Sequence, residues 1–345
     1  MNSSTSSSER RWKRFLTVYV TVLLVVGLFS FGVVLIVDPY NTGILTPLDR
    51  NLPLHDTPRL GDVGRARDPA FDSAIFGNST GQLIEPARLD TLIGGKFASL
   101  TVGGTGPVEQ LVMIDYFRRH HPGKVRTLIL TMDVSWCAAD RFIARDRINN
   151  PFPFWLYDDA PVTYLARLLT FESLRLVRFK VAAMLGYRKL QRPDGYDNFE
   201  LGRMWKIEEA WERLDGDHRI MRWMSENDRP MLDSFAALDA LDALLKRFEP
   251  APRVVLAFMP HYAPALPPPN SLTAERIDRC KDRAARLAAD RRAGYVDLLR
   301  DDRVTREAAN FWDPPHYRSH IARAIETALA DAVKHPVTNQ SVGSD

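Results

Sequence analysis

A long run without charge near the N-terminus sets the first limit on how this chain folds. Residues Phe15 to Val37 contain no charged side chain and are mostly Val, Leu and Phe. The run matches the ~20 residues that an α-helix needs to cross a ~30 Å hydrocarbon core. A cleaved secretory signal is the alternative, but such a signal has a shorter apolar region and a small-residue cleavage site. Because the run ends only at Asp38, we interpret residues 15–37 as one uncleaved transmembrane helix.

The charges around this run predict the orientation of the helix. Four basic residues lie between positions 10 and 14, whereas Asp38 follows the run. Positive residues stay in the cytoplasm, so we expect residues 1–14 to form a cytoplasmic tail. The C-terminal bulk is then extracytoplasmic, or periplasmic, on the outer side of the cytoplasmic membrane.

The net charge gives no support to a nucleic-acid partner. Of the 46 basic and 43 acidic residues, four and one lie within residues 1–14, which leaves 42 of each sign beyond them. The formal charge of +3 therefore comes from the flank of the apolar run. A neutral outer domain has no basic footprint for nucleic acid, and we expect no such partner.

Beyond residue 69 the chain alternates short apolar runs with longer amphipathic stretches. Strands are predicted at 72–76, 97–102, 125–132, 253–259 and 295–298, and helices at 82–93, 108–120, 273–292 and 316–333. This alternation predicts an α/β domain at 70–335, with a parallel sheet covered by helices on both faces. In such a sheet the site lies beyond the carboxyl ends of the strands.

Three segments fall outside this pattern. Residues 38–69 are polar and contain proline, which indicates a membrane-proximal linker, and the polar residues 336–345 are predicted to be a disordered tail. Residues 137–230 lack the strand pattern and are interpreted as a largely helical insertion, with helices at 162–185 and 207–227. Its aromatic residues form either a sugar- or lipid-facing surface or a small core, and we favour the core. They include Trp155, Tyr157, Trp205, Trp211 and Trp223.

The chain has two cysteines, Cys137 and Cys280. In an oxidising compartment they could pair, although sequence alone does not bring their Cα atoms within bonding range. A large domain does not need a covalent link to be stable, so we favour two buried free thiols.

A serine follows the first predicted strand. Ser79 lies in the segment Gly77-Asn78-Ser79-Thr80-Gly81, where glycine permits the tight turn that presents a hydroxyl at a strand end. A serine after a strand is also a routine helix N-cap. Taken alone, the motif favours the capping role over a catalytic nucleophile.

A glycine-rich loop follows the second predicted strand. Val102-Gly103-Gly104-Thr105-Gly106 can aim backbone N–H groups at an anion, such as the tetrahedral oxygen of acyl transfer. A phosphate loop would continue with Gly-Lys-Ser/Thr, whereas this loop continues with Pro107. A plain turn is the remaining alternative.

The third motif lies near the C-terminus. Asp313 and His316 are three residues apart, a spacing that lets the carboxylate orient one imidazole nitrogen while the other faces a serine. His320 lies four residues further on, so a two-histidine metal site is the competing interpretation. Because the chain has no His-Glu-x-x-His pattern, we rank triad chemistry first and predict no metal.

The three motifs together resemble those of the SGNH hydrolase superfamily, a lipase-like fold with a flavodoxin-like, three-layer α/β/α arrangement. The resemblance covers roughly residues 72–332, with the insertion unmatched. Ser79 matches the nucleophile of the first block, and Gly103 or Gly104 matches the glycine of the second. Asp313 and His316 match the terminal Asp-x-x-His block.

One block departs from the family pattern. The third block normally supplies an asparagine after the third strand, whereas Asp133 and Ser135 occupy that region here. An ionised Asp133 cannot donate a hydrogen bond, so one oxyanion donor is expected to be missing. We keep both residues as candidates for oxyanion or substrate contact. With the anchor and the Phe-Trp-Asp-x-x-His ending, the chain is similar to the envelope-facing branch related to DltD and the alginate O-acetylation proteins.

That resemblance implies a function in modifying the cell envelope. It implies acyl groups moved onto or off an envelope polysaccharide or glycolipid, beside a multi-spanning membrane O-acyltransferase and with no diffusible cofactor. We therefore expect a membrane-anchored serine acyltransferase or esterase in which backbone N–H groups of Ser79 and Gly104 hold the oxyanion. A noncatalytic assembly or binding protein that keeps the fold is the alternative. His261, after the fourth predicted strand, is a further candidate for the site, although a plain loop histidine is the commoner case.

Overall fold

The structure is a computed structural model, and it divides into two compact units. One unit comprises Met1–Pro53 with Asp159–Leu190, and the other comprises Leu54–Asp158 with Gln191–Asp345. The structure describes residues 5–43, 58–138, 152–168, 170–187, 192–201, 204–206, 208–209 and 224–337.

The secondary structure follows the predicted alternation. The strands are β1 Ser73–Gly77, β2 Phe97–Thr101, β3 Thr127–Met132, β4 Arg253–Phe258, β5 Gly294–Asp297, β6 Phe311–Asp313 and β7 His316–Tyr317. The helices are α1 Thr5–Val37, α2 Pro58–Arg67, α3 Pro86–Ile93, α4 Pro107–His120, α5 Pro161–Leu168, α6 Phe171–Met184, α7 Ala236–Leu245, α8 Leu272–Arg291, α9 Arg303–Arg306 and α10 Ser319–Lys334.

Five strands form one parallel sheet in the order β2-β1-β3-β4-β5. This is the strand order of flavodoxin-like doubly wound sheets, whose switch point lies between β1 and β3. Strands β1, β2 and β3 are buried along their whole length, which explains why they read as continuous apolar runs in the sequence. The predicted α/β class and parallel sheet are confirmed.

Both faces of the sheet are covered by helices. On one face, Ile75 and Ile129 belong to a core that also includes Leu89 of α3 and Ile325 of α10. On the other face, Phe76 packs edge-on against Phe117 of α4, with ring centroids 5.9 Å apart. Successive strand residues point to opposite faces, so this arrangement gives a layer of helices on each side of the sheet.

The N-terminal unit is helical. Its first helix, α1, is long and apolar enough between Ser8 and Val37 to span a membrane. Helices α5 and α6 pack beside α1 in the same unit. The predicted helix at 162–185 is thus two helices, because Thr170 caps the second one by accepting a hydrogen bond from the Ser173 backbone N–H at 3.1 Å.

Several boundaries differ from those predicted. The helix expected at 82–93 begins at Pro86, because a residue before proline disfavours the helical region and Glu85 is extended. The segment interpreted as a linker, 38–69, contains α2, which packs with α4 and β2. The helix predicted from His316 begins only at Ser319, and His316 itself lies in the β6–β7 hairpin.

Parts of four predicted segments lie outside the described residues. They are residues 1–4 of the cytoplasmic tail, residues 44–57 of the linker, most of the helix expected at 207–227, with Trp211 and Trp223, and the C-terminal tail from position 338 onward. Of the other aromatic residues of the insertion, Tyr157 is buried and Trp205 packs against the main core.

The expectation of free thiols is wrong, because Cys137 and Cys280 form a disulfide with their Cα atoms 5.4 Å apart. Cys137 follows β3, and Cys280 lies on α8, so the bridge joins the end of a central strand to a covering helix. Next to it, the buried Arg276 guanidinium donates to the Cys137 carbonyl at 2.6 Å and lies 4.7 Å from the centre of the Phe235 ring. The sequence did not predict this pairing, because the two cysteines lie far apart in the chain and only the fold brings them together.

Gly77 offers a test of how closely β1 approaches β3. A Cβ at Gly77 would lie 1.8 Å from Thr131 Oγ1 and 2.8 Å from the Thr131 carbonyl oxygen. We expect Gly77→Ala to lower the free energy of unfolding by about 2–3 kcal/mol, as overpacking does in a dense core. Urea unfolding of the detergent-solubilised chain measures the change.

The matched control for Gly77→Ala is the same substitution in a Thr131→Ala background. Removal of Oγ1 relieves the closer clash but leaves the backbone oxygen, so the added cost of Gly77→Ala should shrink without vanishing. An unchanged stability of the single variant would contradict the close packing of these strands.

Candidate active site

Ser79, His316 and Asp313 form one chain of hydrogen bonds. His316 Nε2 lies 2.7 Å from Ser79 Oγ, and His316 Nδ1 lies 2.6 Å from Asp313 Oδ1. A carboxylate only accepts, so Nδ1–H donates to Asp313 and Nε2 is left to accept from the Ser79 hydroxyl. The structure therefore brings together a nucleophile, a base and an orienting carboxylate that lie far apart in sequence.

Each member is placed by a different element. Ser79 begins a short turn just after β1, and Asn78 caps this turn by accepting from the Thr80 N–H at 3.0 Å. Asp313 and His316 occupy the two strands of the β6–β7 hairpin. The His316 backbone N–H also donates to Asp313 Oδ1 at 3.1 Å, so the hairpin holds the imidazole and its carboxylate in one register.

Asp133 supports the serine turn. Its carboxylate accepts from Asn78 Nδ2 at 2.6 Å, from the Ser135 N–H at 3.0 Å and from the Ser135 hydroxyl. Asp133 and Asn78 are both buried, and Asn78 is the residue before the nucleophile. The two third-block candidates, Asp133 and Ser135, thus join a polar cluster that holds Asn78 in place.

The glycine-rich loop lies beside Ser79. A Cβ at Gly103 would be 3.9 Å from Ser79 Cβ, and Gly104 has a φ of +72°, which a residue with a side chain rarely adopts. The Val102 N–H donates to the Gly77 carbonyl at 3.0 Å, which ties the loop to the end of β1. The position that resembles an oxyanion loop in sequence is therefore next to the nucleophile in space.

Gln82 is a neighbour that the sequence analysis missed. Its Nε2 lies 3.9 Å from the Cβ position at Gly103, the same distance as Ser79 Cβ. A side-chain amide at this place is a hydrogen-bond donor close to the nucleophile. The signal that could have identified it is its spacing, because Gln82 follows Ser79 by three residues and ends the same turn.

His261 lies in the interior of the site. It is 2% exposed, and its Nε2 has no hydrogen-bond partner among the described residues. Burial lowers the pKa of His261 to about 4, although the nearby carboxylate of Asp133 acts in the opposite direction. The neighbouring His316 lowers the pKa of His261 further, whereas the carboxylate of Asp313 raises it. His261 is therefore a neutral imidazole at neutral pH and sits close to the triad.

Phe199 and Glu200 contact the β6–β7 hairpin and the helix after it, and the sequence analysis missed both as site residues. The Phe199 ring lies edge-on to His316, with centroids 6.0 Å apart. Glu200 accepts from the Trp312 indole and from the Ser319 N–H at 2.9 Å. These contacts come from the predicted insertion, whose sequence carries no chemical motif that would have indicated them.

The alternative two-histidine metal site is not assembled. His316 is engaged by Ser79 and Asp313, and His320 Nε2 lies 2.9 Å from Asn310 Oδ1. Across the part of the chain that the structure describes, no group of three His, Cys, Asp or Glu residues is arranged to hold a metal ion. The donors near His316 fit proton transfer between a hydroxyl and an imidazole.

The site has the parts that acyl transfer through a serine requires. A base contacts the hydroxyl, a carboxylate orients the base, and a glycine loop with an amide side chain lies beside the nucleophile. Comparison of the chain with protein-family models and with curated proteins found no match.

Substitution of Asp133 tests the support of the serine turn. Asp133→Ala leaves the buried Asn78 amide and the half-buried donors of Ser135 without this acceptor, which costs about 1–3 kcal/mol of folding free energy. Asp133→Asn keeps one acceptor oxygen and should lose less. Urea unfolding should rank the parent first, Asp133→Asn second and Asp133→Ala last.

The control for Asp133 is Asp233→Ala, which removes an exposed carboxylate paired with Arg279 at 2.7 Å. An exposed ion pair contributes ~0–1 kcal/mol, so this variant should stay near the parent. Equal stability of Asp133→Ala and Asp233→Ala would contradict a supporting role for Asp133.

The buried state of His261 predicts a pH dependence of stability. In the unfolded chain a histidine binds a proton near pH 6.5, whereas His261 in the folded chain does so only near pH 4. Protonation therefore favours the unfolded chain as the pH falls through this window, by about 2 kcal/mol between pH 7 and pH 5. His261→Gln should remove this part of the loss in a urea titration at the two pH values.

Other histidines also titrate, so the comparison is between variants. The exposed His335 serves as the control, and His335→Gln should keep the parent's pH dependence. If His261→Gln keeps it as well, His261 is accessible to protons in the folded chain.

Proposed function

We propose that this chain is a membrane-anchored, extracytoplasmic serine acyltransferase or esterase of the SGNH type that acts on a cell-envelope polysaccharide or glycolipid. The observation that carries the proposal is the 2.7 Å contact of His316 with Ser79, continued by the 2.6 Å contact of His316 with Asp313. A nucleophile, its base and an orienting group in this sequence are the shared feature of enzymes that transfer acyl groups through serine.

The first half of the reaction follows from these contacts. Ser79 Oγ attacks the carbonyl carbon of an ester while His316 Nε2 takes the hydroxyl proton, and Asp313 stabilises the imidazolium. Backbone N–H groups of Ser79 and Gly104, with the Gln82 amide, hold the tetrahedral oxyanion. Collapse breaks the bond to the alcohol, which leaves with the proton of His316, and the acyl group remains on Ser79.

The second half returns the enzyme to its starting state. A hydroxyl of a sugar, or water, gives its proton to His316 Nε2 and attacks the acyl carbon. Breakdown of the second tetrahedral intermediate restores the Ser79 hydroxyl with the proton from His316. A sugar acceptor makes the chain a transferase, and water makes it an esterase.

Three observations support the placement outside the cytoplasm. The chain carries a disulfide, which persists in oxidising compartments. Helix α1 is long and apolar enough to span a membrane. The basic residues precede α1, which favours a cytoplasmic N-terminus and an extracytoplasmic α/β unit. In this location the substrates within reach are those of the envelope, and a multi-spanning membrane O-acyltransferase is the proposed partner.

The fold and the position of the site support the SGNH assignment. The strand order places β1 and β3 side by side, and the nucleophile follows β1 at the switch point where doubly wound sheets bind their ligands. The Asp-x-x-His ending contacts Ser79 and the glycine after β2 lies beside it, and both contacts support this resemblance.

A noncatalytic assembly or binding protein is the second candidate. One observation favours it, namely that Asp133 stands where an asparagine donor is expected and instead accepts three hydrogen bonds. In this alternative the polar cluster would keep the fold of the site after loss of the reaction.

A covalent probe separates the two candidates. A fluorophosphonate reacts with a serine that an adjacent base activates, so the full-length chain in detergent should be labelled at Ser79. We expect Ser79→Ala to abolish labelling and His316→Ala to slow it at least ~100-fold, because the unassisted hydroxyl is a weak nucleophile. Gel fluorescence and peptide mass spectrometry measure the rate and the site.

Ser225→Ala and His320→Ala are the matched controls, since their side chains hydrogen-bond to Asp228 and Asn310. They should label at the rate of the parent. A folded parent that never labels would overturn the enzymatic proposal and leave the assembly role.

A further inference from the structure

Helices α5 and α6 present an apolar surface that the described residues leave uncovered. Phe171 is 84% exposed, Val162 79% and Leu185 66%. The α5–α6 apolar face, as we call it, consists of Val162, Leu165, Phe171, Leu174, Val181 and Leu185. An exposed apolar patch with this many large side chains is typical of a binding surface rather than of ordinary solvent-exposed structure.

Helix α6 has a buried side and an exposed side, and the exposed side is the more apolar of the two. Its buried side carries Ser173, Leu176, Lys180 and Ala183. The side opposite carries Phe171, Leu174, Val181 and Leu185, spaced so that they share one stripe. A surface helix of a water-soluble domain has polar residues on the side away from its core. In α6 the side away from the core instead carries large apolar side chains, which indicates an apolar environment on that side.

A buried polar cluster fastens both helices to the end of α1. Lys180 Nζ donates to the Asp38 carbonyl at 2.8 Å, and the Tyr164 hydroxyl donates to Asp38 Oδ1 at 3.2 Å. The hydroxyls of Tyr40 and Ser173 lie 2.9 Å apart. Asp38 directly follows Val37, the last residue of the apolar span. The two helices are thus attached where α1 would leave the hydrocarbon.

The helices also pack beside the last turns of α1 itself. Val34 is fully buried, whereas Leu28 and Phe29 remain 70% and 71% exposed. At a rise of about 1.5 Å per residue, Val34 lies only about 5 Å along the axis from the end of α1. Elements beside these turns are therefore at the depth where acyl chains meet headgroups.

The charges of this unit complement an anionic lipid surface. Residues 159–190 contain six basic and two acidic side chains; Lys180 is engaged in the buried cluster and Arg175 pairs with Glu172, which leaves four basic residues against one acidic residue. Arg178 lies within the exposed stripe and places its guanidinium 5.4 Å from the centre of the Phe179 ring. A long basic side chain on an apolar stripe can extend to the phosphates while its stem stays in the apolar layer. A basic amphipathic helix with these features is typical of a membrane surface.

We infer that α5 and α6 are a second membrane contact, with the α5–α6 apolar face immersed at the boundary between headgroups and acyl chains in the leaflet where α1 ends. The inference rests on the proposed membrane span of α1 and does not depend on the chemistry of Ser79. Its occupant is lipid, since the face continues the apolar surface of α1 and its charges match anionic headgroups. A membrane protein partner at this face is the competing outcome.

Depth-dependent quenching tests the inference on the full-length chain. The chain is reconstituted alone into vesicles of phosphatidylcholine and phosphatidylglycerol, with a fluorophore on a single introduced cysteine in Leu174→Cys or Leu185→Cys. Because the native cysteines are paired, labelling is confined to the new site. Nitroxide lipids with the spin label near the headgroup end of the acyl chain should reduce the emission at both positions at least ~2-fold.

Two control positions make the result decisive. Leu24→Cys, near the middle of the apolar run of α1, reports the membrane span through nitroxide lipids labelled near the terminal methyl of the acyl chain. Val304→Cys, at an exposed valine of the other unit, reports the aqueous phase. Quenching at positions 24, 174 and 185 but not at 304 is the expected result. Quenching at 24 alone, with 174 and 185 open to aqueous iodide, would overturn the lipid contact and leave the face for a protein partner. Absence of quenching at 24 as well would instead overturn the membrane span on which the inference rests.

Discussion

The close approach of β1 and β3 at their carboxyl ends is the constraint from which the site follows. Gly77 pairs with Thr131, and the space between them has no room for another Cβ. The Thr131 hydroxyl donates to the Phe76 carbonyl at 3.0 Å across the same gap. Because both strands end here, the residues that follow, Ser79 and Asp133, are delivered to one crevice of the parallel sheet. The β6–β7 hairpin then needs only to bring an imidazole to a hydroxyl whose position is already set.

The cluster behind Ser79 shows why a carboxylate can replace the expected amide. Asn78 uses its oxygen to cap the turn at Thr80 and therefore has its amide N–H available for Asp133. An asparagine at 133 would have to turn its own oxygen to Asn78 and would lose the charge that strengthens the bond. Asp133 thus binds the residue before Ser79 more strongly than an asparagine would, and in the proposed reaction other donors would stabilise the oxyanion. Gln82, at the far end of the same turn, is placed to be one of them.

Local patterns carried enough information to predict the strands, the order of strand and helix, and the motif residues. Strand β3 could be predicted because burial on both faces leaves a mostly apolar run in the sequence. The pair Asp313 and His316 could be predicted because a carboxylate that orients an imidazole can lie only a few residues from it. The pairing of Cys137 with Cys280 could not be predicted, because it depends on how α8 lies against the end of β3. The start of α10 was missed because the Pro-Pro turn before His316 closes a hairpin, a feature with no helical or strand period. Phe199 and Glu200 were missed because their contacts with the hairpin join distant segments and leave no local signal.

In the proposed reaction, the exposure of His316 and Asp313 bears on which acceptor takes the acyl group. The side chains of His316 and Asp313 are 25% and 32% exposed, so water reaches the base directly. An acyl group on Ser79 would then be hydrolysed unless a bound hydroxyl occupied the position from which His316 takes a proton. Transfer in preference to hydrolysis therefore requires binding energy from the acceptor next to the hairpin. Phe199, whose ring stands edge-on to His316, is an aromatic side chain beside the base against which a sugar ring could pack while its hydroxyl displaces water.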